Sequence, residues 1–212
     1  MDLIQPTAST ISPTACKSYT APDGVIYTTS GNYTVVIPNS AGPAGSSGGY
    51  PIHTIGESYV GGIVFYVYDG GQHGLIAASA DQSTGIQWSN GIARSTGATG
   101  DGIGAGAMNT AMIVATQMAD NQTGNFAAKV CADYSVTGTN GVYYGDWYLP
   151  SWHELSLLSL QKNVVGGFAN AIYWSSTELD NSFAWFLDFG FNPTNSNVHK
   201  GSTFYVRAVR AF

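Results

Sequence analysis

Hydrophobic and polar positions change their period several times along this chain. Gly62-Ile-Val-Phe-Tyr-Val67 is a continuous β-branched and aromatic run, which predicts a buried strand. Asp69-Gly70-Gly71 supplies a turn, and His73-Gly-Leu-Ile-Ala-Ala78 returns, so residues 62–78 read as a hairpin. Gln87-Trp88-Ser89 is a third short strand. A Gly/Ala/Thr loop follows over 90–107. Met108, Met112, Ala115 and Ala119 then recur at helical spacing, predicting a helix over 109–120 with Asn109 as N-cap. A second helix is predicted over 126–134. Ser151-Trp-His-Glu154 is a capping box that opens a third, running to Gln161 with Leu155 and Leu158 inward. Beyond Gly166-Gly167 the period returns to two, with strands at Tyr173–Ser176, Phe183–Phe189 and Phe204–Phe212, and a turn at Asn192-Pro193 and Asn195. Hairpin, helices, then strands make an α+β order, with two to three helices beside a mostly antiparallel sheet.

The first fifty residues differ. They are rich in Thr, Ser, Gly and Pro and hold few large aliphatic side chains. Residues 1–15 read as a tail. Pro22-Asp-Gly24 and Ser30-Gly-Asn32 are turn signals between short runs at Ser18–Thr20, Val25–Thr28 and Tyr33–Ile37. Residues 39–51 read as a Gly/Pro linker. The division is therefore 1–50, a small β-like segment and linker, and 51–212, the main domain.

Composition narrows the class. Charged residues are 9% of 212 and aromatic residues 13%, the reverse of a disordered chain. The surface is expected to consist of neutral hydrogen-bonding groups, as in extracellular β-rich proteins. A net charge of −6 argues against a nucleic-acid partner. No apolar run is long enough to suggest membrane insertion, and Met1-Asp-Leu-Ile-Gln-Pro6 does not read as a leader. Of the two cysteines, Cys131 lies in an apolar helical run and reads as a small buried hydrophobe.

A set of motifs carries a resemblance. Gly61-Gly-Ile-Val-Phe65, Gln72-His-Gly-Leu-Ile-Ala77, Asn109-Thr110, Ala127-Ala-Lys-Val-Cys131, Gly145-Asp-Trp-Tyr-Leu-Pro-Ser151 with Glu154-Leu155, Tyr173-Trp-Ser-Ser176 and Val206-Arg-Ala-Val-Arg-Ala-Phe212 occur in order. Together they resemble the C-terminal domain family of the Legionella collagen-like adhesin, over residues 56–212. The resemblance implies a C-type-lectin-like fold, a bacterial cell-surface or secreted location, and a trimer that binds sulfated glycosaminoglycans. Residues 16–42 are similar to a short module of bacterial surface proteins.

On this reading the chain is an adhesin module for a carbohydrate or an extracellular protein, and not an enzyme. The alternative is a structural stalk-tip domain for trimerisation or assembly, with no ligand of its own. The formylglycine-generating proteins that share the fold need a paired-cysteine copper site near the C-terminus, and this sequence has none. No cofactor is expected. Calcium-bridged sugar binding lacks its Glu-Pro-Asn or Gln-Pro-Asp and Trp-Asn-Asp tripeptides.

Candidate ligand-binding residues are Asn181, Trp185, Asn192, Asn195, Asn197, Lys200 and Arg207, because that stretch mixes aromatic faces with amides and the last basic groups. Asp101, in a glycine-rich loop, is the one weak metal candidate, against a solvated loop as the plainer reading. His73 reads as structural and His153 as solvated. Asp146 is expected to pair with Arg207 or Arg210, leaving the other arginine for the surface.

Overall fold

The computed structural model describes residues 51–138, 141–190 and 196–212, with the backbone of four short strands before them. The chain divides into two compact units, 1–50 and 51–212. In the first, β1 (Thr7–Ile11) pairs antiparallel with β4 (Tyr33–Ile37), and β2 (Tyr19–Thr20) with β3 (Ile26–Tyr27). Residues 7–11, read as tail from their composition, thus form a strand, because β4 supplies the partner.

The second unit is α+β, with mostly antiparallel sheets. Its elements are β5 (Ser58–Tyr59), β6 (Gly62–Tyr68), β7 (His73–Ala78), β8 (Ser83–Gln87), α1 (Ala105–Asp120), α2 (Ala127–Ala132), β9 (Val136–Thr137), β10 (Tyr143–Tyr144), α3 (Trp152–Leu160), α4 (Lys162–Val165), β11 (Ile172–Glu178), β12 (Phe183–Asp188), β13 (Ser196–His199), β14 (Thr203–Val206) and β15 (Val209–Ala211). One sheet has the order β15-β7-β6-β5 and another β13-β12-β11-β14-β8. Within them only β11 and β14 run parallel. The expected hairpin is β6–β7, in register from Gly62↔Ala78 to Tyr68↔His73.

Two apolar clusters fill the unit. Val64, Ile76, Trp88, Ile113, Phe126, Cys131, Trp147, Trp174 and Val206 form one, with α1 and α2. Phe65, Leu75, Leu155, Leu158, Tyr173, Leu187, Phe189 and Val209 form the other, under α3. Burying an indole requires a partner for its N–H. Trp88 Nε1 donates to Ser175 O and Trp174 Nε1 to Ile86 O, both at 2.9 Å, which ties β11 to β8 and the residue after it.

Three expectations are corrected. The third strand is Ser83–Gln87 rather than 87–89; Trp88 follows it, fully buried. Helix α1 starts at Ala105, capped by Gly104 at φ 83°, so Asn109 is a buried helical residue and not the N-cap. The terminal strand 204–212 is two strands in different sheets. β14 pairs with β8 and β15 with β7, and the chain crosses at Arg207-Ala208. The crossing destroys simple alternation: Val206, Arg207, Ala208 and Val209 are all at most 1% exposed.

Candidate functional site

The Gly/Ala/Thr loop expected over 90–107 ends where α1 begins at Ala105, and it is not a freely solvated loop around Asp101. Buried side chains from distant elements hold this loop in place. Glu178, at the end of β11, accepts from the N–H of Thr96 (2.9 Å to Oε1) and of Gly97 (2.8 Å to Oε2). Its own N–H donates to Ala98 O at 2.8 Å. Asn109 clamps Gly100 from both sides, accepting from its N–H at 3.2 Å and donating to its carbonyl at 2.7 Å. Thr177 Oγ1 donates to the same carbonyl at 3.1 Å, and Ser151 Oγ donates to Gly102 O at 2.9 Å.

Glu154 completes the clamp. The predicted capping box is present: Ser151 Oγ accepts from Glu154 N–H (3.2 Å), and Glu154 Oε2 accepts from Ser151 N–H (2.9 Å). The same carboxylate accepts from Gly104 N–H (2.8 Å) and Tyr148 Oη (3.1 Å) through Oε1. Burial raises the Glu154 pKa above the ordinary glutamate value, against the pull of these donors.

The fixed loop forms one wall of a cleft of about 350 Å³ lined by Thr99, Asp101, Trp152, Thr177, Glu178 and Trp185. Trp152 opens α3 and Trp185 lies mid-way along β12. Their rings meet edge to face, centroids 6.4 Å apart at 61°. Both are half-buried. Asp101 Oδ1 accepts from the N–H of His153 (2.7 Å) and of Gly102 (3.0 Å), which caps the first turn of α3 from outside. Its other oxygen has no partner among the described residues, and the residue is exposed. Two half-buried indoles set edge to face, beside an exposed carboxylate and a threonine, can hold a ring that has one apolar face and hydroxyls at its edge.

The structure sorts the sequence candidates into groups. Trp185 and Asp101, far apart in the sequence and expected as separate sites, meet in the cleft. Asn197 is exposed and stands directly across from Trp185 in the β12–β13 register, so it projects from the same face of the sheet. Asn181 is exposed in the β11–β12 turn, its carbonyl accepting from Lys200 Nζ at 3.3 Å. Asn192 and Asn195 lie outside the described residues.

Lys200 and Arg207 are corrected: neither is a surface cation. Lys200 is 1% exposed, paired with Glu178, donating to Arg94 O at 3.1 Å, and stacked 4.4 Å from the Trp88 ring. Burial lowers its pKa, against the pull of Glu178. Arg207 Nε donates to Asp81 Oδ1 at 2.7 Å, its other nitrogens to the carbonyls of Ala78 and Gly167, and its guanidinium stacks on Phe168. Arg210 takes Asp146, through Oδ1 at 2.8 Å and Oδ2 at 2.9 Å. The expected Asp146 pair therefore forms with Arg210, but the other arginine is not released to the surface.

Asp101 has its backbone partners and no metal-binding company: among the described residues no group of three His, Cys, Asp or Glu is placed to hold an ion. His73 and His153 are exposed. Cys131 is a free, fully buried thiol.

Sequence reasoning missed Thr99, Trp152 and Thr177 as cleft residues. Trp152 carried a signal, as a large aromatic beside an N-cap where a helix surfaces. The threonines carried none.

The match between sequence and family is direct. Residues 77–210 fit the model of the Lcl C-terminal domain. This chain belongs to the Lcl C-terminal domain family. The family is of adhesin type. The cleft of this Lcl C-terminal domain, from Thr99 to Trp185, lies wholly inside the matched residues. No curated protein matches the chain. Among solved structures, it is similar to a fimbrial protein from Bacteroides ovatus ATCC 8483, at 17% identity and a TM-score of 0.45. That likeness covers 91% of this chain and 48% of the fimbrial protein, so the chain spans about half that protein's length.

Proposed function

We propose that this Lcl C-terminal domain is a non-enzymatic adhesin module, displayed outside the cell or on its surface, that binds glycan in the Trp152–Trp185 cleft. The observation that carries this reading is the pairing of two half-buried indoles with a loop fixed by Glu178, Asn109 and Glu154. Ordering a loop on binding costs free energy, and this loop is ordered beforehand. Aromatic faces supply contact area while few rotamers are frozen. The cleft volume is at the lower end of the roughly 300–1,000 Å³ of small-ligand sites, which suits a short saccharide.

The test is a glycan array probed with the purified chain, repeated with Trp185→Ala and Trp152→Ala. Binding by the wild type that falls at least tenfold in both variants supports the reading. A blank array, or binding that neither variant changes, overturns it. The family resemblance further supports a homotrimer as the working form, which light scattering on the full chain tests: a monomer at high micromolar concentration refutes it.

A further inference from the structure

We infer that the glycan held in this cleft carries no sulfate or carboxylate on the sugar residues it buries. The inference rests on the cleft being a glycan site and goes further by fixing the ligand's charge class.

Residues 51–212 contain six lysines and arginines, and each has a partner within the fold. Lys200 is closed off with Glu178, Arg207 with Asp81, and Arg210 with Asp146. Arg94 pairs with Asp120 at 3.2 Å and Lys129 with Asp133. Lys162 donates to the Phe189 carbonyl. Two of these, Lys200 and Arg207, are at most 1% exposed. None of the six lines the cleft, so a sulfate bound there meets no lysine or arginine among the described residues. Drawing Lys200 or Arg207 out to a ligand would leave the carboxylate of Glu178 or Asp81 buried without its partner.

The cleft itself points the same way. Its exposed charge is the Asp101 carboxylate, whose free oxygen accepts hydrogen bonds and repels anions. Beneath it, the charge of Glu178 is balanced by Lys200 and is not available to a ligand. The net charge of −6 adds a long-range field of the same sign. Hydroxyl donors on an uncharged pyranose match an acceptor carboxylate, and its C–H face matches an indole. A sulfate or uronate matches neither.

The test is a titration of the full chain with neutral oligosaccharides of hexoses and N-acetylhexosamines, and in parallel with heparin and chondroitin sulfate. Wild type, Trp185→Ala and Asp101→Asn are compared between about 0.1 and 1 M NaCl, over which the screening length falls from roughly 10 to 3 Å. Asp101→Asn keeps the oxygen that caps α3, and circular dichroism checks each variant's fold. The expected result is binding of a neutral member, changed less than twofold by salt. It is lost at least tenfold in Trp185→Ala and weakened severalfold in Asp101→Asn, with sulfated chains at least tenfold weaker. Sulfated chains bound preferentially, lost with Trp185 and strengthened by Asp101→Asn, would overturn the charge class and leave the cleft standing. Binding to no glycan, or binding indifferent to Trp185, would remove the cleft reading, and the charge inference with it.

Discussion

Glu178 and Lys200, twenty-two positions apart, face each other in an ion pair with side chains 0% and 1% exposed. One sits at the end of β11 and the other in the turn after β13. Between them they hold Thr96, Gly97 and Arg94 of the long loop. Desolvating two charges is expensive, and hydrogen bonds to both offset part of that cost. The pair therefore matters most for where the loop lies.

Breaking the pair from one side is expected to cost about 3–5 kcal/mol, since the remaining charge stays buried and unmatched. Lys200→Ala and Glu178→Ala are measured by urea unfolding. The double variant is expected to cost clearly less than the sum of the two. Additive costs would mean that the two groups do not interact. Lys200→Ala therefore cannot probe ligand binding separately from stability, whereas Asn197→Ala can: its expected stability cost is under about 0.5 kcal/mol.

Gly106 lies on the first turn of α1 against the Glu154 clamp. A Cβ there would stand 2.3 Å from Glu154 Oε2, 2.7 Å from Ser151 N and 2.8 Å from Leu149 O. Two of the three atoms are backbone and cannot turn away. Gly106→Ala is expected to destabilise by about 1–3 kcal/mol through overpacking, read as a lowered denaturation midpoint. An unchanged midpoint would show that the helix shifts freely.

Glu154 sets a pH dependence. Its folded pKa is raised above the ordinary 4.5, so the folded chain holds this proton more tightly than the unfolded chain. The penalty for ionising it is absent below 4.5 and grows as pH rises through the folded value, so this group makes stability fall with rising pH in that window. Glu154→Gln is expected to be less stable overall, because three donors converge on this side chain. Its stability curve is nevertheless expected to lose that falling segment. A curve parallel to wild type from about pH 4 to 7 would refute the assignment.

The C-terminus contributes less than a fully buried phenylalanine would. Phe212 is half-buried, packed edge-on against His53 (5.0 Å) and Tyr59 (5.4 Å), and exchanges hydrogen bonds with Gly74 of 3.1 and 3.2 Å. Deleting Ala211 and Phe212 is expected to cost about 2–3 kcal/mol, below the roughly 3–5 kcal/mol of a core Phe→Ala change. The melting temperature decides between them.

Cys131 is fully buried, and burial pushes its thiol pKa well up. The native protein is expected to leave Cys131 unlabelled by a thiol reagent that modifies it once unfolded. Rapid native labelling, mapped to Cys131 by mass spectrometry, would contradict its burial.

The sequence by itself determined the elements with strong local chemistry. The β6–β7 hairpin was legible because a continuous apolar run, an Asp-Gly-Gly turn and a second run lie next to each other. Helix α3 was legible because Ser151 and Glu154 cap it through contacts three residues apart. The family was legible because its motifs are local and ordered. Long-range partners decided the rest. Asn109 looks like an N-cap until Gly100 is brought against it. The stretch 204–212 looks like one strand until Arg207 finds Asp81 and the chain changes sheets. Lys200 looks like a surface cation until Glu178 is placed beside it. The cleft joins Asp101, Trp152 and Trp185 from a loop, a helix and a strand. No spacing rule links those positions, because tertiary packing alone sets the distances between them.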